Sequence, residues 1–121
     1  MNILLVDDCC WLNDYCKSIF AEEGHDVTYS DYYVFLSILR IKGEFLDFVF
    51  INVNPYDTKH ITNTVQSIYT YAPTAQIVIL SINGECPVIK NLVTQGCMHL
   101  TIPFETQDLL DTLHKNNQFV Y

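Results

Sequence analysis

The sequence predicts a single α/β domain, a parallel sheet with helices on both faces. Short apolar runs alternate with helical patterns along the whole chain, as successive βαβ units require. Two of those runs, Phe48–Ile51 and Ile77–Leu80, show no polar alternation at all, which is the pattern of strands buried on both faces. The length, 121 residues with half of them apolar, suits one compact core of ordinary size. No repeat, linker or low-complexity segment divides it, so residues 1–121 are read as one domain.

The first strand is Ile3–Val6, an apolar run that stops on Asp7 and Asp8. A helix over about Cys9–Glu22 follows, with Leu12, Tyr15, Cys16, Ile19 and Phe20 at spacings of three and four forming one apolar stripe. Gly24 supplies its stop. A second strand covers about Asp26–Tyr29, and Ser30 or Asp31 can cap a helix reaching about Lys42, with Gly43 ending it. After the central strand at 48–51, Ile61, Val65, Ile68 and Ala72 mark the inner face of a third helix closed by Pro73.

The strand Ile77–Leu80 leads into a polar loop, Ser81–Glu85, that contains Asn-Gly. Pro87 is placed to open a fourth helix with Val88, Ile89, Leu92 and Val93 facing inward, and Gly96 ends it. Met98–Ile102 is a last strand, broken by Pro103. Phe104, Leu109, Leu110 and Leu113 give the closing helix its buried side. The expected count is five strands and five helices.

Charge and composition narrow the function. Six basic against fourteen acidic residues give a formal net charge of −8, which repels a phosphate backbone and argues against direct nucleic-acid binding. Basic protein surfaces are favoured partners. No apolar stretch approaches the roughly 18 residues of a membrane span, and the acid pair follows the first apolar residues too soon for a signal peptide, so a cytoplasmic protein is expected. The five cysteines, Cys9, Cys10, Cys16, Cys86 and Cys97, lack paired CxxC spacing and are read as reduced thiols. Cys16, on the apolar stripe, is most simply core. No glycine-rich phosphate loop or DxHxxG motif points to a flavin or cobalamin.

Ligands of an open parallel sheet bind beyond the carboxyl ends of its strands. The residues there are Asp7 and Asp8, Asn52 with Val53 and Asn54, Ser81 with Ile82, and Ile102 with Pro103. The segments ILLVDD at 3–8, EEGHDV at 22–27, DFVFIN at 47–52, IVILS at 77–81, QG at 95–96 and PF at 103–104, taken in order, resemble the receiver domain of bacterial two-component response regulators. The resemblance spans nearly the whole chain. It implies the CheY-like version of the flavodoxin-like fold, a doubly wound five-stranded sheet of order 2-1-3-4-5.

In that family an acid pair holds magnesium, an aspartate ending the third strand takes a phosphoryl group from a histidine kinase, a fourth-strand hydroxyl senses it and a lysine before a proline pairs with it. The resemblance gives the acid pair to Asp7 and Asp8 and the hydroxyl to Ser81. It also exposes two departures. Asn52 stands where the acceptor aspartate belongs, and Ile102, followed by Pro103, stands where the lysine belongs. An amide is a poor nucleophile and a weak magnesium ligand, and Ile102 offers no cation to phosphoryl oxygens. With Asn52 neutral, Asp7 and Asp8 can ionise without a third charge beside them, and the amide can donate to one of them.

The resulting expectation is an atypical receiver that catalyses nothing, holds no cofactor and acts by binding protein, either a histidine kinase or an output protein. Magnesium is at most weakly held by Asp7, Asp8 and the Asn54 carbonyl. Pairing of two copies through the face made by the fourth helix, last strand and fifth helix is the preferred interface. Two alternatives stay open. One is a conventional magnesium-dependent receiver using another acceptor, for which Asp57 is the candidate although it lies in a polar turn. The other is a thiol sensor built on Cys9 and Cys10, where the helix N-terminus lowers and the acid pair raises a thiol pKa. Asp8 also has a plain structural role as a helix cap, and Ser81 beside Asn-Gly is equally good turn chemistry. His99 falls near the family's switching aromatic.

Overall fold

The computed structural model describes the chain apart from residues 8–9, 33, 55–57, 83–84 and 118–121, and apart from the side chains of 10–13 and 115–117. In chain order the elements are β1 (Asn2–Val6), α1 (Cys10–Glu22), β2 (Asp26–Ser30), α2 (Phe35–Lys42), a 3₁₀ turn over Gly43–Phe45, β3 (Phe48–Asn52), α3 (Ile61–Tyr71), β4 (Gln76–Ser81), α4 (Pro87–Thr94), β5 (Met98–Thr101) and α5 (Thr106–Asn117). All strand pairs are parallel and the order is β2-β1-β3-β4-β5, so the doubly wound 2-1-3-4-5 sheet with five helices is the observed architecture.

Successive side chains of a strand point to opposite faces, and here both faces are dry. Leu4, Val6, Val49, Ile51, Ile77 and Ile79 face one layer, where they meet Leu39 of α2, Val65 and Ile68 of α3, and Ile89 and Leu92 of α4. Ile3, Leu5, Phe48, Phe50, Val78 and Leu80 face the other, against Cys16, Ile19 and Phe20 of α1 and Leu109 and Leu113 of α5. The rings of Phe20 and Phe50 lie 5.1 Å apart at the centre of that second layer. This division explains the uninterrupted apolar runs of β3 and β4: neither strand has a wet side.

Several local expectations are corrected. Tyr15 does not complete the buried stripe of α1. It is 39% exposed, with its ring tilted against Phe104 at 6.1 Å and its hydroxyl 3.0 Å from that of Thr106. Leu12 lies outside the described side chains. The second helix does not start directly after a Ser30 or Asp31 cap. Ser30 still belongs to β2, the Asp31 carboxylate accepts from the Val34 N–H at 2.9 Å, and regular helix begins at Phe35. The polar residue thus caps a turn that precedes the helix.

Val93 is not on the inner face of α4; it is 43% exposed, whereas Ile89 and Leu92 are buried. The last strand stops at Thr101, one residue short of Ile102, and the Ile102–Pro103 bond is cis. Tyr32, Tyr69 and Tyr71, partly buried, pack against the first layer, and Tyr33, Tyr56 and Tyr121 lie outside the described residues.

Gly43 does follow α2, but not as a left-handed stop, since its φ is −53°. Its role is space. A Cβ at this position would overlap the backbone carbonyl of Tyr71, where α3 ends against the 3₁₀ turn. Gly24 and Gly96, by contrast, carry positive φ values of 84° and 112° at the ends of α1 and α4.

Because backbone cannot yield as a flexible side chain can, Gly43→Ala is expected to lower stability by about 1–3 kcal/mol in a urea unfolding series. An unchanged midpoint would show that the α2–α3 junction is looser than the structure implies.

Candidate functional site

The carboxyl ends of β1, β3 and β4 and the residue after β5 line one edge of the sheet, and the ladder itself fixes their spacing. Beyond the last paired strand residues, Asp7 N–H donates to the Ser30 carbonyl (3.0 Å), Val53 N–H to Leu80 (2.8 Å) and Ile102 N–H to Ser81 (2.8 Å). Asp7 is buried, with 5% of its surface exposed, and Ser81 is fully buried. Burying a carboxylate is unfavourable unless polar groups meet it.

Asn52 supplies one such group. Its Nδ2 donates to Asp7 Oδ1 at 3.0 Å, so the amide at the end of β3 and the first acid at the end of β1 are directly joined. Two tyrosines brace the same pair from behind. Tyr29 of β2 donates its hydroxyl to the Asp7 carbonyl at 3.2 Å, and Tyr32 donates to the Asn52 carbonyl at 2.6 Å. Sequence reasoning missed both, because their roles come from the β1–β2 register, in which Leu5 faces Tyr29, and from the path of the loop into α2.

Ile102 presents no charge to this edge. It packs with Leu100 and Phe104 against the layer beneath α1 and α5. Asp8, the second acid of the pair, and Asp57, the alternative acceptor, lie outside the described residues. Asn54 is described and exposed. Of the acid pair only Asp7 is described, and its Oδ1 accepts from the Asn52 amide; among the described residues no three His, Cys, Asp or Glu side chains are grouped together.

Two of the described cysteines, Cys16 and Cys97, are buried. Burial, with the Asp7 charge adding to it, pushes the Cys16 thiol up to about 12, and burial likewise raises Cys97, whose sulfur lies 3.5 Å from the Tyr69 hydroxyl. Both are core residues. The side chains of Cys9 and Cys10 lie outside the described set.

His99 occupies β5 opposite Ile79, and its Nε2 is buried with no hydrogen-bond partner among the described residues. Burial holds this imidazole below its ordinary pKa.

Neither a family model nor a curated relative matches the chain. Solved structures do. A response regulator from Thermotoga maritima superimposes with a TM-score of 0.80 at 22% identity, covering 94% of each chain. A response regulator receiver domain protein from Clostridium thermocellum matches with a TM-score of 0.79 at 16% identity over 99% of this chain and 98% of that one. A response regulator protein from Burkholderia pseudomallei, solved with a phosphorylated aspartic acid, a calcium ion and citrate, matches at 0.75 and 19% identity over 98% of this chain and 69% of that one. At these identities the likeness is one of fold: the chain has the CheY-like receiver fold. Among the described residues, no helix is long and apolar enough to cross a membrane.

Folding favours the uncharged ring of His99, so its contribution is complete above the ordinary imidazole value of 6.5 and is lost as pH falls below it towards the lowered folded value. His25, lowered by partial burial and then by the N-terminal ammonium 3.0 Å from its Nδ1, acts in the same direction. Urea stability is therefore expected to decline between about pH 7 and pH 5.5, and His99→Gln to flatten part of that decline. An identical slope in the variant would remove His99 from the account.

Proposed function

We propose that this domain is an atypical receiver of two-component signalling, one that works by binding protein and is not switched by phosphorylation at the end of β3. The observation that carries the reading is the hydrogen bond from Asn52 to Asp7. In the receiver mechanism the residue at that position attacks phosphorus through a carboxylate oxygen while the neighbouring acid holds a cation. Here the nitrogen lone pair is delocalised into the amide, and the N–H is directed at the acid that would ligate the metal.

Ile102 works in the same direction, since a packed aliphatic side chain cannot neutralise phosphoryl oxygens. Ser81 is retained as the hydroxyl of the site, buried and in register with Thr101 on β5. Without an acceptor, the input that normally shifts a receiver between two conformations has no attachment point, and the domain stays in one signalling state. Its partner is a histidine kinase or an output protein in the cytoplasm. Pairing through α4, β5 and α5 is the homodimer that the exposed Ile82 and Val93 favour, with 57% and 43% exposure. No catalytic residue and no resident cofactor belong to this reading, and the acidic charge argues against direct nucleic-acid binding by this domain.

Wild-type protein incubated with acetyl phosphate and magnesium is expected to show no phosphoryl adduct by intact mass. An adduct that persists in Asn52→Ala would transfer the role to another acceptor and overturn the proposal. Asn52→Asp sets a carboxylate against Asp7, so its melting temperature should fall without magnesium and recover when magnesium is added. Wild type should show no such recovery.

A further inference from the structure

At the amino ends of the strands, the opposite edge of the sheet from Asp7 and Asn52, a cavity of about 190 Å³ opens beneath the 3₁₀ turn. It is smaller than the roughly 300–1,000 Å³ that holds a drug-sized molecule, and suits a compact one. Leu46 forms apolar floor, Phe45 stands at the rim, and Asn2, Asp26, Thr28 and Lys42 supply the polar lining.

Two features separate this cavity from an ordinary surface dent. Its rim is held rigid with an aromatic turned outward. Phe45 is 67% exposed, yet its carbonyl accepts from Asn2 Nδ2 at 2.9 Å. The Asn2 N–H donates to Asp47 Oδ2 at 2.8 Å, and the Asp47 N–H returns to the Asn2 carbonyl at 2.8 Å. Gly43 presses the start of the same turn against the Tyr71 carbonyl. The lining also carries opposite charges that are not joined: neither the Asp26 carboxylate nor the Lys42 ammonium has an ion-pair partner among the described residues.

We propose that this cavity binds a free α-amino acid with an apolar side chain. The ligand carboxylate meets Lys42, its ammonium meets Asp26 with Thr28 beside it, and its side chain lies over Leu46 and against the Phe45 ring. A zwitterion joins the two unpaired charges, which neither an anion nor a cation alone can do without leaving one of them unanswered. The fixed backbone around Asn2 and Asp47 means that little ordering is needed on binding. The proposal is independent of the phosphorylation chemistry at the other edge.

The probe is L-leucine, titrated into the ¹⁵N-labelled 121-residue chain. Saturable shifts are expected for the backbone amides of Asn2, Asp26, Thr28, Phe45 and Leu46, with a dissociation constant on the order of 1 mM for so small a ligand in an open cavity. Leucinamide, which lacks the carboxylate, and N-acetylleucine, which lacks the ammonium, should each bind about tenfold more weakly. Asp26→Asn and Lys42→Gln should weaken leucine similarly, with the rest of the spectrum unchanged because both side chains are exposed. Absence of saturable shifts, shifts confined to another surface, capped ligands binding as well as leucine, or variants binding it as tightly would each overturn the proposal.

Discussion

Every feature of this molecule follows from a sheet whose central strands have no wet face. β1, β3 and β4 are apolar on both sides, so helices must cover both, and parallel neighbours can be joined only by crossovers long enough to contain those helices. Five parallel strands wound in this way put all their carboxyl ends along one edge, where the buried interior gives way to polar groups. Asp7, Asn52 and Ser81 are the residues at which three apolar strands stop. The site is a consequence of the sheet.

At that edge the balance of charge decides the chemistry. A carboxylate as buried as Asp7 needs donors or a cation, and in this chain a side-chain donor comes from Asn52, 3.0 Å away. The bond does for Asp7 part of what a metal would do, without bringing a second negative charge. Tyr29 and Tyr32 hold the backbone carbonyls of the same two residues, so the pair is fixed from both sides and little rearrangement is open to it. On the proposed reading, the packed, uncharged Ile102 suits an edge with no phosphoryl oxygens to neutralise.

The core was readable in the sequence because burial on both faces leaves an unmistakable pattern in β3 and β4, and because the inner faces of α1 and α3 repeat every three or four residues. That the Asn52 amide can donate to one of the two acids was readable too, since these residues end apolar runs and their types are complementary; that the acid is Asp7 is shown by the structure. The roles of Tyr29, Tyr32 and Gly43 escaped notice because they depend on neighbours distant in the chain. The hydroxyls of Tyr29 and Tyr32 find their carbonyls only once β2 is in register with β1. Gly43 looked like a helix stop, but its necessity lies in the Tyr71 carbonyl, 28 positions later. Val93 fits the inward stripe of α4 by spacing, yet the short helix turns it outward. Asp31 carries a capping signature and caps a turn one step before the helix, because β2 extends to Ser30.

The central claim is that the Asn52–Asp7 edge cannot accept the phosphoryl input of a receiver. The most direct test is an NMR titration with magnesium and beryllofluoride, a mimic of the aspartyl phosphate, following the amides of Asp7, Asn52, Ser81 and α4. The account predicts that their positions stay where they were in the free protein. Saturable shifts that begin at Asp7 and Asn52 and spread through Ser81 into α4 would contradict it.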